Sequence, residues 1–349
     1  MAVRSRLPLY LAVVYTLLAL YASLYPFHGW RDTGGDPLAF LAAPWPRYVT
    51  HFDPAVNILA YVPLGFLWAA VFCARLPRLA AFLIACVLGA AFSLGIETAQ
   101  AFLPSRVPSN LDLACNALGS LVGAAVGALW GRHLLDGGQW HAWRERRFLP
   151  GPTGDIGLVL LGLWLFTQIN PETFLFGNGN LRSLLGLPAP LPFDAARFIE
   201  LETATVAAQT LAIALIGARL AAHHPVWLPL ALIGAALLVK SLALMLLIES
   251  LHGFAWMTPG TLGGLALGLT VAALAALLGA GARQALAAMA LMLAVVLANL
   301  MPDNPYLEHT LSVWRQGHFL NFNGATRLVS SLWPFLALPW LMLSRSERR

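Results

Sequence analysis

The chain reads as an all-α, polytopic helical bundle embedded in a membrane, with about ten transmembrane helices and both termini on the cytoplasmic side. Three observations predict this. Hydrophobic residues make up 59% of the 349 and charged residues 11%, whereas soluble domains carry about 25% charged residues. Mean hydropathy is +0.71, and apolar runs long enough to cross a bilayer recur throughout. The basic residues also divide unevenly between the two sides that such a topology defines. One side holds Arg4, Arg6, Arg75, Arg78, Arg132, Arg144, Arg146, Arg147, Arg219, Arg283, Arg345, Arg348 and Arg349, while the other holds Arg31, Arg47, Arg106, Arg182, Arg197 and Arg315. That excess marks the first side as cytoplasmic.

Hydrophobic windows place the spans at 7–26, 55–74, 79–101, 112–130, 156–170, 198–219, 226–248, 261–280, 285–301 and 325–343. The first apolar run is too long for a signal-peptide core, so it reads as an uncleaved helix. The organisation is then a four-helix unit over 1–135, a basic connection over 136–155, a second four-helix unit over 156–282 and a two-helix extension over 283–349. The basic connection contains HAWRERR, suited to anionic headgroups.

The two units read as parallel repeats, with chance similarity between apolar sequences as the rival reading. Gly95-Ile-Glu97-Thr-Ala-Gln100-Ala-Phe102 is echoed by Leu247-Ile-Glu249-Ser-Leu-His252-Gly-Phe254. Phe52-Asp53 has counterparts in Phe193-Asp194 before the sixth span and Phe322-Asn323 before the tenth. In this register Phe198 stands where Asn57 would, and the second copy's site is degenerate. Lys240, inside the seventh span, needs a partner such as Glu202 or a route to the surface by snorkelling.

Function concentrates in a polar set within the first unit. Asp53 and Pro54 have the residue types favoured at a helix start, and Asp112 fits the same capping role. Asn57 and Asn116 lie four residues on, about 6 Å deeper on the same faces, where no cap needs them. Asp112, Asn116, Gly119, Gly123 and Gly127 share one arc of the fourth span, a small-residue seam against which another helix packs. Ser93, Glu97 and Gln100 share a face of the third span, and Arg106 in the following connection is the natural counter-ion for Glu97. Ionisable groups gathered in hydrocarbon mark a site. The candidate ligand-binding residues are therefore Asp53, Asn57, Glu97, Gln100, Arg106, Asp112 and Asn116. The same residues could instead join helices by hydrogen bonds, or serve as acid and base through Glu97 with Asp53 or Asp112. Catalysis finds no support from a nucleophile, P-loop or HExxH motif.

Over residues 50–130 the chain resembles the VanZ-like family. The matching residues are Asp53-x3-Asn57 with Pro63-Leu-Gly65, Glu97-x2-Gln100, Arg106 and Asp112-x3-Asn116-x2-Gly119. The resemblance implies a bacterial cytoplasmic-membrane protein of the cell envelope, linked to resistance against teicoplanin, a glycopeptide antibiotic. In that setting the polar set is expected to meet membrane lipids, including a lipid-linked cell-wall precursor whose headgroup it would bind at the outer leaflet; the alternative is a scaffold that binds a protein partner.

Other classes recede. Arginines spread over the connections form no nucleic-acid patch. Cys73, Cys86 and Cys115 lack CxxC spacing, the nine histidines lack ligand spacing, and neither a metal nor a cofactor is expected.

Overall fold

A computed structural model describes residues 5–32, 34–45, 52–222, 226–248, 253–304 and 316–343. Those residues form helices and no strands, as the apolar windows predict. They divide into two compact units, 1–146 and 147–349.

The first unit contains α1 (Leu7–Leu24), α2 (Phe52–Cys73), α3 (Arg78–Gln100), α4 (Asn110–Gly131) and the short polar α5 (Gln139–Arg147) that ends at the boundary. The second contains α6 (Gly151–Thr167), the single turn α7 (Leu181–Leu184), α8 (Ala195–Leu220), α9 (Trp227–Leu247), α10 (Pro259–Ala275), α11 (Ala280–Leu300) and α12 (Gln316–Leu343). Eight of these helices are long and apolar enough to cross a membrane: α1–α4, α8, α9, α11 and α12. The other two expected spans form as α6 and α10, each 17 residues long. At 1.5 Å per residue they fall short of a hydrocarbon core of about 30 Å. Pro259 begins α10, where its missing N–H is harmless.

In the first unit α2 and α4 run in the same direction with their backbones in contact. A Cβ at Gly119, Gly123 or Gly127 would collide with the carbonyl oxygen of Ile58, Val62 or Phe66 respectively. A Cβ at Gly65 would strike that of Ser120. This is the small-residue seam expected from the sequence, with α2 as its partner. α3 approaches α4 at Gly89, whose Cβ would overlap the Ser120 side chain.

The second unit repeats this geometry. A Cβ at Gly264 or Gly268 of α10 would meet the carbonyl oxygen of Thr203 or Ala207 on α8. Thr203 and Gly264 are separated by as many residues as Ile58 and Gly119. In that register Glu202, not Phe198, stands in Asn57's place, and Thr261 stands in that of Asn116. Asp194 caps α8 by accepting the Arg197 N–H at 2.9 Å. Phe322-Asn323 lies inside α12, which begins earlier than the tenth predicted span. Glu249 and His252, part of the other proposed echo, lie outside the described residues. Leu291, Trp333 and Leu341, from the expected C-terminal extension, share one core with Trp164, Ile213 and Ile233.

The α2–α4 seam makes a prediction. Gly123→Ala should lower stability in detergent by about 1–3 kcal/mol, since the clash falls on backbone that cannot swing aside. Gly95→Ala has open space around it and should be neutral or stabilising, by up to about 1 kcal/mol. Thermal unfolding of the two variants checks the contrast.

Candidate functional site

The start of α4 decides how the polar residues are used. Ser109 precedes the helix, and its Oγ accepts the Asp112 N–H at 3.3 Å. Asp112 is therefore a first-turn residue rather than the cap expected from the sequence. In the usual reciprocal arrangement a carboxylate at that position would reach back to the N–H of the cap residue. Here Glu97 takes that N–H, its Oε2 accepting from Ser109 N at 2.8 Å. The Asp112 carboxylate is left to face α2, where Asn57 Nδ2 donates to its Oδ1 at 2.8 Å.

Glu97 is only 3% exposed and Asn116 5%. Asn116 Nδ2 donates to Ser93 Oγ at 2.9 Å, joining α4 to α3. Among the described residues the side-chain amide oxygen of Asn116 and the Ser120 hydroxyl are buried without hydrogen-bond partners. Gln100 Nε2 donates to the Ser23 carbonyl at 2.9 Å, anchoring α3 to the end of α1.

Arg106 does not pair with Glu97. Its guanidinium donates to the Tyr25 carbonyl at 2.6 Å, just beyond α1, and burial holds it below the usual arginine range. The reason is geometric: Glu97 is turned towards the Ser109 amide, while Arg106 sits one short turn past α3, with its N–H on the Leu103 carbonyl. Asp53, in the first turn of α2, is exposed. It lies within electrostatic range of Asp112, and Asp112 within range of Glu97.

The structure thus gathers Asn57, Asp112, Glu97, Asn116 and Ser93 where α2, α3 and α4 meet, with Asp53 at the rim. It assigns Gln100 and Arg106 to holding α1. The gathered groups are mostly acceptors: three carboxylates and an unsatisfied amide oxygen. Such an arrangement suits a ligand rich in O–H or N–H donors. Among the described residues no group of three or more His, Cys, Asp or Glu could hold a metal ion.

The sequence also missed a feature of the second unit. Residues 168–180, expected to be the end of the fifth span and the start of an outer connection, are a largely buried non-helical segment, several of whose polar groups bond to side chains. Asn178 Nδ2 donates to Thr167 Oγ1 at 2.9 Å, and Asn170 Nδ2 to Thr326 Oγ1 at 3.1 Å. Lys240 Nζ donates to the carbonyls of Asn170 and Thr173 at 2.6 and 2.5 Å, so the expected Lys240–Glu202 pair is not formed. Glu202 accepts instead from the hydroxyls of Thr258 and Thr261 at 2.7 and 3.1 Å. The cluster of Asn170, Asn178 and Asn180 in an apolar chain was the available signal.

The fold and this clustering define a multi-pass helical membrane protein with a polar site in its first unit. Comparison with known families agrees: residues 9–131 match the family model described as VanZ/LLP1. The match lies within the first unit and ends at the last residue of α4. No curated protein and no solved structure matches the chain.

The Asn57–Asp112 bond should be measurable. A double-mutant cycle of Asn57→Ala and Asp112→Ala should give a coupling of about 1 kcal/mol in unfolding experiments, in the upper part of the range for hydrogen bonds between membrane helices. A coupling near zero would mean the two side chains do not meet.

Proposed function

We propose that the VanZ-like domain binds the headgroup of an envelope lipid or lipid-linked cell-wall precursor at the outer leaflet of the bacterial cytoplasmic membrane. Through that binding the protein contributes to resistance against glycopeptides of the teicoplanin type. The observation that carries the reading is the use of Glu97 as the partner of the Ser109 amide. Among the described residues this leaves Asp112 with a single neutral donor, on the side that faces α2. A carboxylate so placed, beside the buried amide oxygen of Asn116, is matched by the hydroxyl and amide donors of a sugar–peptide headgroup. The excess of arginine on the opposite side supports an outward-facing site.

The shared α2–α4 and α8–α10 register supports a duplication in which the second unit is an altered copy of the first. A purely structural role is favoured by one observation: the Asn57–Asp112 and Asn116–Ser93 bonds join helices to each other.

The test is thermal stabilisation of the purified full chain by a lipid-linked amino-sugar precursor, with phosphatidylglycerol as the comparison. Binding predicts a rise in melting temperature with the precursor only, because a ligand of the folded state stabilises it. Asp112→Asn should abolish that rise. Equal shifts with both lipids, or a precursor shift unchanged in Asp112→Asn, would favour the structural role.

A further inference from the structure

We propose that the second unit carries its own ligand site, a cavity of about 580 Å³ that takes a zwitterionic phosphate–ammonium headgroup of the phosphatidylethanolamine class. The volume lies within the range of small-molecule sites. The buried segment 168–180 forms part of its wall, as expected where irregular backbone within a membrane protein lines a cavity.

The charges lining this cavity carry the argument. Arg182 is neutralised by Asp303 at 2.9 Å. Among the described residues the other four, Lys240, Arg327, Glu172 and Glu202, are each held by neutral groups alone. Lys240 is 2% exposed and donates to two backbone carbonyls. Arg327 donates to the Ser183 carbonyl and, at 2.8 Å, to its hydroxyl. Glu172 accepts from Asn323 Nδ2 at 2.6 Å, and Glu202 from the two threonine hydroxyls. Neutral dipoles fix the position of a charge without cancelling it. Two cations and two carboxylates therefore direct their fields into one space, although burying unpaired charges is costly.

A purely anionic ligand would meet Glu172 and Glu202, and a purely cationic one would meet Lys240 and Arg327. A ligand with one charge of each sign answers both pairs. Phe174, Phe198, Leu244 and Trp256 line the apolar remainder, which suits the first carbons of acyl chains. Glu202 and Thr261 occupy the positions corresponding to Asn57 and Asn116, so the cavity reaches the place in the second unit that the polar cluster holds in the first.

The experiment uses the full chain purified in detergent, with short-chain phosphatidylethanolamine, short-chain phosphatidylglycerol and water-soluble phosphoethanolamine as probes. Phosphatidylethanolamine should raise the melting temperature by several degrees and phosphatidylglycerol should not. Arg327→Gln and Glu172→Gln should each weaken phosphatidylethanolamine binding roughly tenfold, the loss expected for a charge-assisted hydrogen bond. Because Glu172 is only half-buried, its variant provides the test even if the arginine variant fails to fold. Asp112→Asn, in the first unit, should keep the shift, which separates this site from the one proposed above. A comparable shift with phosphoethanolamine would support the same site with a soluble zwitterion as occupant. Equal shifts with the two lipids, or full affinity in Glu172→Gln, would overturn the proposal.

Discussion

The contact between the backbones of α2 and α4 is the constraint on which the first unit depends. Carbonyl oxygens of Ile58, Val62 and Phe66 occupy the space that side chains at 119, 123 and 127 would fill. Glycine at each fourth position is the solution a membrane protein has available, because lipid offers helices little hydrophobic gain from associating and close packing must supply the attraction. Once the two helices are this close, their first turns are close as well. Asn57 can then reach Asp112. The polar site follows from the apolar seam.

The α3–α4 connection adds the electrostatic part. A carboxylate inside a membrane protein must be hydrogen-bonded, neutralised or open to water. Glu97 meets the first condition by serving as the far partner of the α4 cap. That substitution shifts Asp112 from a capping role to one between helices. Arg106 and Gln100 bind the end of α1 through backbone carbonyls, so α1 is tied to the site by polar contacts as well as by packing.

Much of the architecture was legible in the sequence because membrane helices announce themselves by length and composition. The glycine seam was legible too, since a four-residue repeat of small residues leaves a groove whatever its partner. Partner identities were not. The sequence paired Glu97 with Arg106 and Lys240 with Glu202 by opposite charge, whereas the structure turns Glu97 to an amide, Arg106 and Lys240 to carbonyls and Glu202 to hydroxyls, partners that no one-dimensional pattern reveals. The buried segment 168–180 was missed for a related reason. Its polar residues resemble a solvent-exposed connection until the side chains that satisfy them, such as Thr326 from far along the chain, are brought near.

The central claim is that the buried polar cluster works on a ligand and does more than hold helices together. Asp112→Asn separates the two, because an asparagine keeps an oxygen for the Asn57 amide while removing the charge. The direct measurement is teicoplanin susceptibility of a Gram-positive host making the wild type or this variant at equal membrane levels. A working site predicts protection by the wild type and its loss in Asp112→Asn. Equal protection by both proteins would contradict the account.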